Sequence, residues 1–135
     1  MHILLVEDNP GDVRLVQECF RGSDWSPRIT VAEDGILALE FLDSGEDRPD
    51  LMILDLNLPR RSGREVLELV KESEEHRTIP VIVLTTSEAE ADVQNCYRLY
   101  ANCFITKPME FEDYQKAVKI IEQFWLGLVR LPGRQ

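Results

Sequence analysis

The chain has 135 residues, 44% of them hydrophobic and 30% charged, with a formal net charge of −10 at pH 7. This length and composition describe one globular domain with a core of its own, and exclude a disordered chain. The acidic balance excludes nucleic acid as a partner, because a phosphate backbone is held by a basic surface, and it serves solubility instead.

Apolar runs and helical patterns alternate along the whole sequence. Ile3 to Val6 reads as a strand, and Asn9-Pro10-Gly11-Asp12 starts a helix with Val13, Val16 and Phe20 on its apolar face. Arg28 to Val31 is a weaker strand, broken at Asp34-Gly35, and Ile36, Leu39 and Leu42 form a helical stripe that ends at Ser44-Gly45. Leu51-Met52-Ile53-Leu54 is continuously apolar, as a strand covered on both faces is, and it stops at Asp55. Gly63 opens a helix with Val66, Leu67 and Val70 on one face. Pro80 to Leu84 is a fourth strand running into Thr85-Thr86-Ser87, and Ser87-Glu88-Ala89-Glu90 has the form of a capping box for a helix through Val93, Cys96 and Tyr97. Cys103 to Thr106 is a fifth strand, followed by Lys107-Pro108 and by a last helix from Phe111 bearing Tyr114, Ala117, Val118, Ile121, Trp125 and Leu128. Pro132 to Gln135 reads as a frayed tail.

Within this frame Cys19, Cys96 and Cys103 are odd in number, lack the spacing of a zinc site and lie in apolar segments, so buried and inert thiols are expected. No apolar run reaches the length of a membrane span. The N-terminus, Met1 to Asp8, lacks the basic start and cleavage site of a signal peptide. No membrane association and a cytoplasmic location are expected.

Five strands alternating with five helices predict an α/β fold, a doubly wound parallel sheet with helices on both faces. Such sheets bind ligands at the carboxyl ends of their strands, near the switch point in strand order. Glu7-Asp8, Asp55, Thr85 and Lys107 each follow a predicted strand and so converge at one sheet edge, although they are far apart in sequence. Three carboxylates together in a dry pocket call for a cation. Oxygen ligands with room left for water and substrate oxygens select Mg²⁺ over Ca²⁺. A phosphoryl group arriving at Asp55 is then bridged by the metal, paired by Lys107 and hydrogen-bonded by Thr85.

The chain carries Val6-Glu7-Asp8-Asn9, Leu54-Asp55-Leu56-Asn57-Leu58-Pro59, Val83-Leu84-Thr85-Thr86-Ser87 and Thr106-Lys107-Pro108, in that order and at the ends of the right strands. Together they resemble the receiver domain of two-component response regulators over nearly the full length. The resemblance implies a flavodoxin-like sheet of strand order 2-1-3-4-5, a receiver domain at residues 1–131 with a short tail at 132–135, and no output domain. It implies Asp55 as phosphoacceptor, and Mg²⁺ held by Glu7, Asp8, Asp55 and the backbone carbonyl of Asn57. It also implies Thr85 as the switch hydroxyl, Lys107 as phosphoryl contact through a cis Lys107-Pro108 bond, and Phe104 as the aromatic rotamer switch. A sensor histidine kinase is the implied phosphodonor and a further protein the downstream partner. Thr86 departs from the small residue common at its position, and Ser62 from a frequent acid.

A narrower likeness rests on Asp8-Asn9-Pro10-Gly11-Asp12, Leu84-Thr85-Thr86-Ser87, Ala101 to Pro108 and Phe124-Trp125-Leu126. These are similar to the phytochrome-associated response regulators, stand-alone receivers served by photosensory or other sensor kinases. Ile120, Phe124, Leu126, Val129 and Leu131 add apolar surface beyond the stripe that the last helix needs for the core, which predicts a homodimer through that helix and its neighbours. Arg60 and Arg61 read as solvated surface. Two other readings stand beside the receiver. One is a phosphatase of the haloacid-dehalogenase type, whose nucleophile follows the first strand. The other is a dimeric pseudo-receiver scaffold that is never phosphorylated.

Overall fold

In the computed structural model, which describes residues 1–132, five parallel strands alternate with five α-helices. The elements are β1 His2–Val6, α1 Pro10–Arg21, β2 Arg28–Ala32, α2 Gly35–Ser44, β3 Leu51–Leu54, α3 Gly63–Glu72, β4 Val81–Thr85, α4 Glu90–Arg98, β5 Cys103–Thr106 and α5 Phe111–Ile121. The strands form one sheet of order β2-β1-β3-β4-β5, the flavodoxin-like arrangement. Residues 133–135 of the predicted tail lie outside the described residues.

Two apolar layers sandwich the sheet, and the period-two alternation of β1 shows how. Ile3 and Leu5 join Val16 and Phe20 of α1 and Tyr114, Val118 and Ile121 of α5. Leu4 and Val6 join Ala38 and Leu42 of α2, Val66, Leu67 and Val70 of α3, and Cys96 of α4. Because both faces are covered, β1, β3 and β4 are buried at every position, which is why they read as unbroken apolar runs.

Helix starts follow local chemistry. Asn9 and Asp34 accept the backbone N–H groups of Asp12 and Leu37 at the heads of α1 and α2, and Ser62 accepts that of Glu65 at the head of α3. α4 departs from the expected capping box. It starts at Glu90, behind Ala89, which offers no side-chain cap. Ser87 instead spends its hydroxyl on the Asp92 carboxylate and receives the Ala89 N–H, which holds residues 87–89 as a turn before the helix.

The last helix also differs from a single regular stripe. After Ile121 it widens into a π-helical segment, Glu122–Leu126, with Gly127 N–H donating to Glu122 O and Val129 N–H to Phe124 O. The wider turn rotates the residues beyond it. Leu126 is buried where the α-helical period had placed Leu128, while Leu128 is 74% exposed. A Cβ at Gly127 would lie 2.6 Å from the Trp25 ring, so this turn packs directly on the α1–β2 loop. Of the expected surplus apolar residues, Ile120 and Phe124 are exposed, Val129 and Leu131 half-buried.

The thiols are likewise less uniform than expected: all are free, Cys96 is buried, and Cys19 and Cys103 are half-buried. Cys19 borders the buried stripe of α1, and Cys103 belongs to the edge strand, every residue of which is half-buried. No described helix is long and apolar enough to cross a membrane.

Candidate functional site

The sheet's register brings the strand ends level. Val6 pairs with both Ala32 and Leu54, Leu54 with Val83, and Thr85 with Thr106. The ladder then runs one residue further. Glu7 N–H donates to Ala32 O at 3.0 Å, Asp55 N–H to Val6 O at 3.0 Å, and Lys107 N–H to Thr85 O at 2.6 Å. Glu7, Asp55 and Lys107 are thus fixed by sheet hydrogen bonds although they stand outside the strands. Glu7 and Asp55 flank the point where the strand order reverses.

One ammonium gathers the anionic groups. Lys107 Nζ lies 2.6 Å from Glu7 Oε2, 2.8 Å from Asp12 Oδ2 and 3.1 Å from Asp55 Oδ2. Burial alone would lower the lysine's pKa, but the hydrogen bonds to Asp12 and Glu7 and the charges of Glu7 and Asp55 outweigh it and hold it above the ordinary lysine range. Asp8 is exposed, and one carboxylate oxygen each of Glu7, Asp8 and Asp55 lie within 4.8 Å of one another, a group able to hold a cation. Asn57 follows Asp55 in a tight loop in which its N–H donates to Asp55 Oδ1 at 3.2 Å.

Burial pushes the Glu7 carboxyl up to about 7, against the Lys107 hydrogen bond and the Asn9 N–H that favour its charged form, with the Asp55 charge adding to the rise. The folded chain therefore holds this proton more tightly than the unfolded one between about pH 4.5 and 7. Stability from this group is present below that window and is lost as pH rises through it. Cation binding must expel the proton. Between pH 5 and 7, calorimetric titration with Mg²⁺ is expected to give an apparent affinity rising about tenfold per pH unit and levelling above 7, with one proton released per ion bound in acid. A Glu7→Gln protein should lose the slope.

Of the expected residues, Glu7, Asp8, Asp55 and Lys107 meet here, with Asn57 beside them, while Thr85 and Phe104 stand differently. Thr85 is fully buried, and its Oγ1 has no hydrogen-bond partner among the described residues. A buried hydroxyl without a partner is costly, and an incoming oxygen acceptor removes the cost. Phe104 is half-buried in β5 and packs beside the α2–α4 layer, while its N–H donates to the Tyr97 hydroxyl at 3.1 Å. Thr86, next to Thr85, is exposed. The expected cis bond before Pro108 is corrected: every described peptide bond is trans. The Lys107 N–H is already committed to Thr85 O, and an X–Pro bond favours trans by about 0.5–1 kcal/mol where nothing enforces the turn.

Three participants escaped the sequence reading. Asp12 reaches Lys107 from the first turn of α1. Tyr114 of α5 is buried with its hydroxyl unpartnered among the described residues, and burial followed by the Asp12 charge raises its pKa. It shares a cavity of about 550 Å³ with Asp12, Thr86, Glu88, Lys107 and Phe111, and Asp55 does not line it. Arg60, read as solvated, grips Asp34 with two N–H groups at 2.8 and 3.1 Å. That contact, with the Leu37 N–H, holds the Asp34 carboxyl below the usual range. It also anchors Arg60 in the left-handed backbone region, at φ +62°, and so ties the loop after Asp55 to the head of α2. The one signal for it was an arginine beside a loop that has to be held still.

A sheet of this order with acids, a hydroxyl and a lysine at its carboxyl edge defines a class, and the comparison with known families agrees. Residues 3–119 match the response regulator receiver domain, and the chain belongs to that family. Within it the similar proteins include a phytochrome response regulator. The chain is 47% identical to response regulator Rcp1 of Synechocystis sp., covering 97% of this chain and 92% of that one. The crystal structure of the Mn²⁺-bound form of Rcp1 superposes with a TM-score of 0.95, at 44% identity, over 98% of this chain and 99% of that chain. The phosphorylated cyanobacterial phytochrome response regulator RcpA gives a TM-score of 0.95 at 42% identity, over 98% of both chains. The probable methanogenesis regulatory protein FilR2 of Methanothrix harundinacea is 41% identical over 97% of this chain and 87% of its own.

Proposed function

We propose that this receiver accepts a phosphoryl group from a histidine kinase on Asp55, and that the observation carrying this is the convergence of Glu7, Asp8, Asp55 and Lys107 at the carboxyl edge of the sheet, where β4 ends in a buried Thr85 hydroxyl without a partner among the described residues. Asp55 supplies the nucleophilic oxygen. Glu7 and Asp8, with Asp55 and the Asn57 carbonyl, would hold Mg²⁺. When bound, that ion offsets the charge repulsion between the carboxylate and the incoming phosphoryl group. Lys107 pairs with a phosphoryl oxygen, Thr85 donates to another, and the Thr85-Thr86-Ser87 loop follows the hydroxyl. Phe104, half-buried in the neighbouring strand, is the side chain proposed to move with that loop. The α4–β5–α5 face, which carries Tyr97, Tyr100 and Ile120 exposed, then presents a changed surface to a downstream protein. Hydrolysis of the acyl phosphate by water at the open edge resets the switch.

Rcp1 is described in a Mn²⁺-bound form and RcpA as phosphorylated, and both support this reading. RcpA is a phytochrome response regulator, which makes a phytochrome or related sensor kinase the first candidate donor for this chain. The phosphatase reading, whose nucleophile follows the first strand, is disfavoured because residues 3–119 match the receiver family. Incubation with acetyl phosphate is expected to add one phosphoryl mass in Mg²⁺, none without divalent ions, and none to Asp55→Asn. An unmodified wild type in Mg²⁺ supports the pseudo-receiver scaffold instead.

The homodimer is proposed on Ile120, Phe124 and Leu128, which follow one another at the C-terminal end of the last helix and are 62%, 45% and 74% exposed. Phe124 stands edge-on to Trp125, which stiffens the patch. Sedimentation equilibrium is expected to give a dimer for the wild type and a monomer for a Phe124→Ser, Leu128→Ser protein.

A further inference from the structure

Lys107 is fully occupied. An ammonium has three N–H donors, and Glu7, Asp12 and Asp55 each accept one. A phosphoryl oxygen therefore reaches Lys107 only when one carboxylate lets go. The three differ in what release costs. The side chains of Glu7 and Asp55 are 4% and 7% exposed, and both belong to the reaction itself: Asp55 gives up its carboxylate charge when it becomes the acyl phosphate, and Glu7 would share the bound cation, so Asp12 is the carboxylate left to compete with the phosphoryl oxygens for the ammonium. The Asp12 side chain is 24% exposed and stands on the wall of the open cavity, so water replaces the lysine there. Asp12 stands in the first turn of α1, its backbone N–H donating to the Asn9 cap.

We infer that Asp12 is a positioning residue for the phosphorylation reaction proposed above: it is the counter-ion that parks Lys107 before the phosphoryl group arrives and then yields it. The consequence is a bias. Asp12 stabilises the unphosphorylated state through Lys107, and repels the phosphoryl group once the lysine has left. It thereby lowers the phosphorylated fraction at a fixed donor concentration. Nothing is consumed in the exchange. The lysine keeps its proton, and one N–H···O contact is swapped for another.

The test uses the whole chain in saturating Mg²⁺ with acetyl phosphate held at the concentration that phosphorylates about a tenth of the wild type. The ratio of phosphorylated to unphosphorylated protein is read by intact mass. Asp12→Asn, which keeps size and helix position, is expected to raise that ratio about fivefold, the size of one ordinary hydrogen bond, as suits a carboxylate that water can reach. Asp12→Glu is expected to return it to within about twofold of wild type, since the carboxylate still reaches the ammonium. The Lys107 ¹⁵Nζ resonance of the unphosphorylated protein is expected to shift in Asp12→Asn and be restored in Asp12→Glu, which a role confined to the start of α1 would not produce. An Asp12→Asn ratio equal to or below wild type overturns the inference, as does a Glu variant that behaves like Asn. A wild type that is never phosphorylated is a different failure, of the Asp55 reading itself.

Discussion

Lys107→Met is expected to cost about 3–5 kcal/mol of folding stability in Mg²⁺-free buffer at pH 8, the range for deleting one partner of a buried ion cluster. The side chain touches three carboxylates and is 4% exposed. Without it, Glu7 and Asp55 face each other across the site with no cation. Glu7 has a way out, since its carboxyl already sits near pH 7 and rises further once the ammonium is gone. The loss should therefore shrink at pH 5.5, where Glu7 is protonated in the folded protein. Mg²⁺ should recover part of it at pH 8, because the ion takes the lysine's place as counter-charge. Urea unfolding at the two pH values, with and without Mg²⁺, measures all four numbers. A loss within about 0.5 kcal/mol throughout would mark Lys107 as an ordinary surface cation.

Gly63→Ala is the second large effect. A Cβ there would lie 1.9 Å from the Asp55 carbonyl oxygen and 2.7 Å from Leu56 Cα, and both are backbone atoms that no rotamer can clear. Gly63 is also the first residue of α3 and donates its N–H to Leu56 O at 3.0 Å, so retreat breaks the loop's own closure. The expected loss is about 3 kcal/mol or more, at or above the top of the range for overpacking. Whatever folds has Asp55 displaced, and an error of about 1 Å costs on the order of 100-fold in a positioned reaction. Stopped-flow or mass-based phosphorylation rates, compared with Gly22→Ala, where a Cβ meets nothing within 4 Å, isolate the effect. Equal rates in the two proteins would mean that the loop after Asp55 does not depend on this contact.

The sheet was legible because burial on both faces leaves only one kind of sequence. Leu51 to Leu54 and Val81 to Leu84 have no polar member, and the residue that ends the first run is Asp55. The topology did the rest, since parallel strands put all their carboxyl ends on one edge. What stayed hidden depended on distances that no periodicity encodes. Asp12 lies four residues after Asp8 and reads as a first-turn acid stabilising a helix, which it also is. Only the fold shows that it meets a lysine 95 residues later. Arg60 has no apolar or polar pattern to flag it, and its role emerges from Asp34, 26 residues earlier, standing at the head of α2.

The last helix failed for a different reason. A period of 3.6 extrapolated from Tyr114 through Ile121 places Trp125 and Leu128 inward, and that extrapolation assumes no change of pitch. The π turn at Glu122–Leu126 inserts one, and Leu126 enters the core instead. Gly127, packed on Trp25, was the local clue, because only a residue without Cβ lets that turn approach the ring. At α4 the Ser87 hydroxyl had two uses open to it, and the nearby Asp92 won over the helix amides.

The most direct test of the account is to trap the acyl phosphate where it forms. Protein treated with acetyl phosphate in Mg²⁺ is reduced with borohydride, which converts an aspartyl phosphate to homoserine, and then digested and sequenced by mass spectrometry. Homoserine is expected at position 55 alone, and at no position without Mg²⁺. Homoserine at Asp8 or Asp12, or at no position in a protein that binds Mg²⁺, would contradict it.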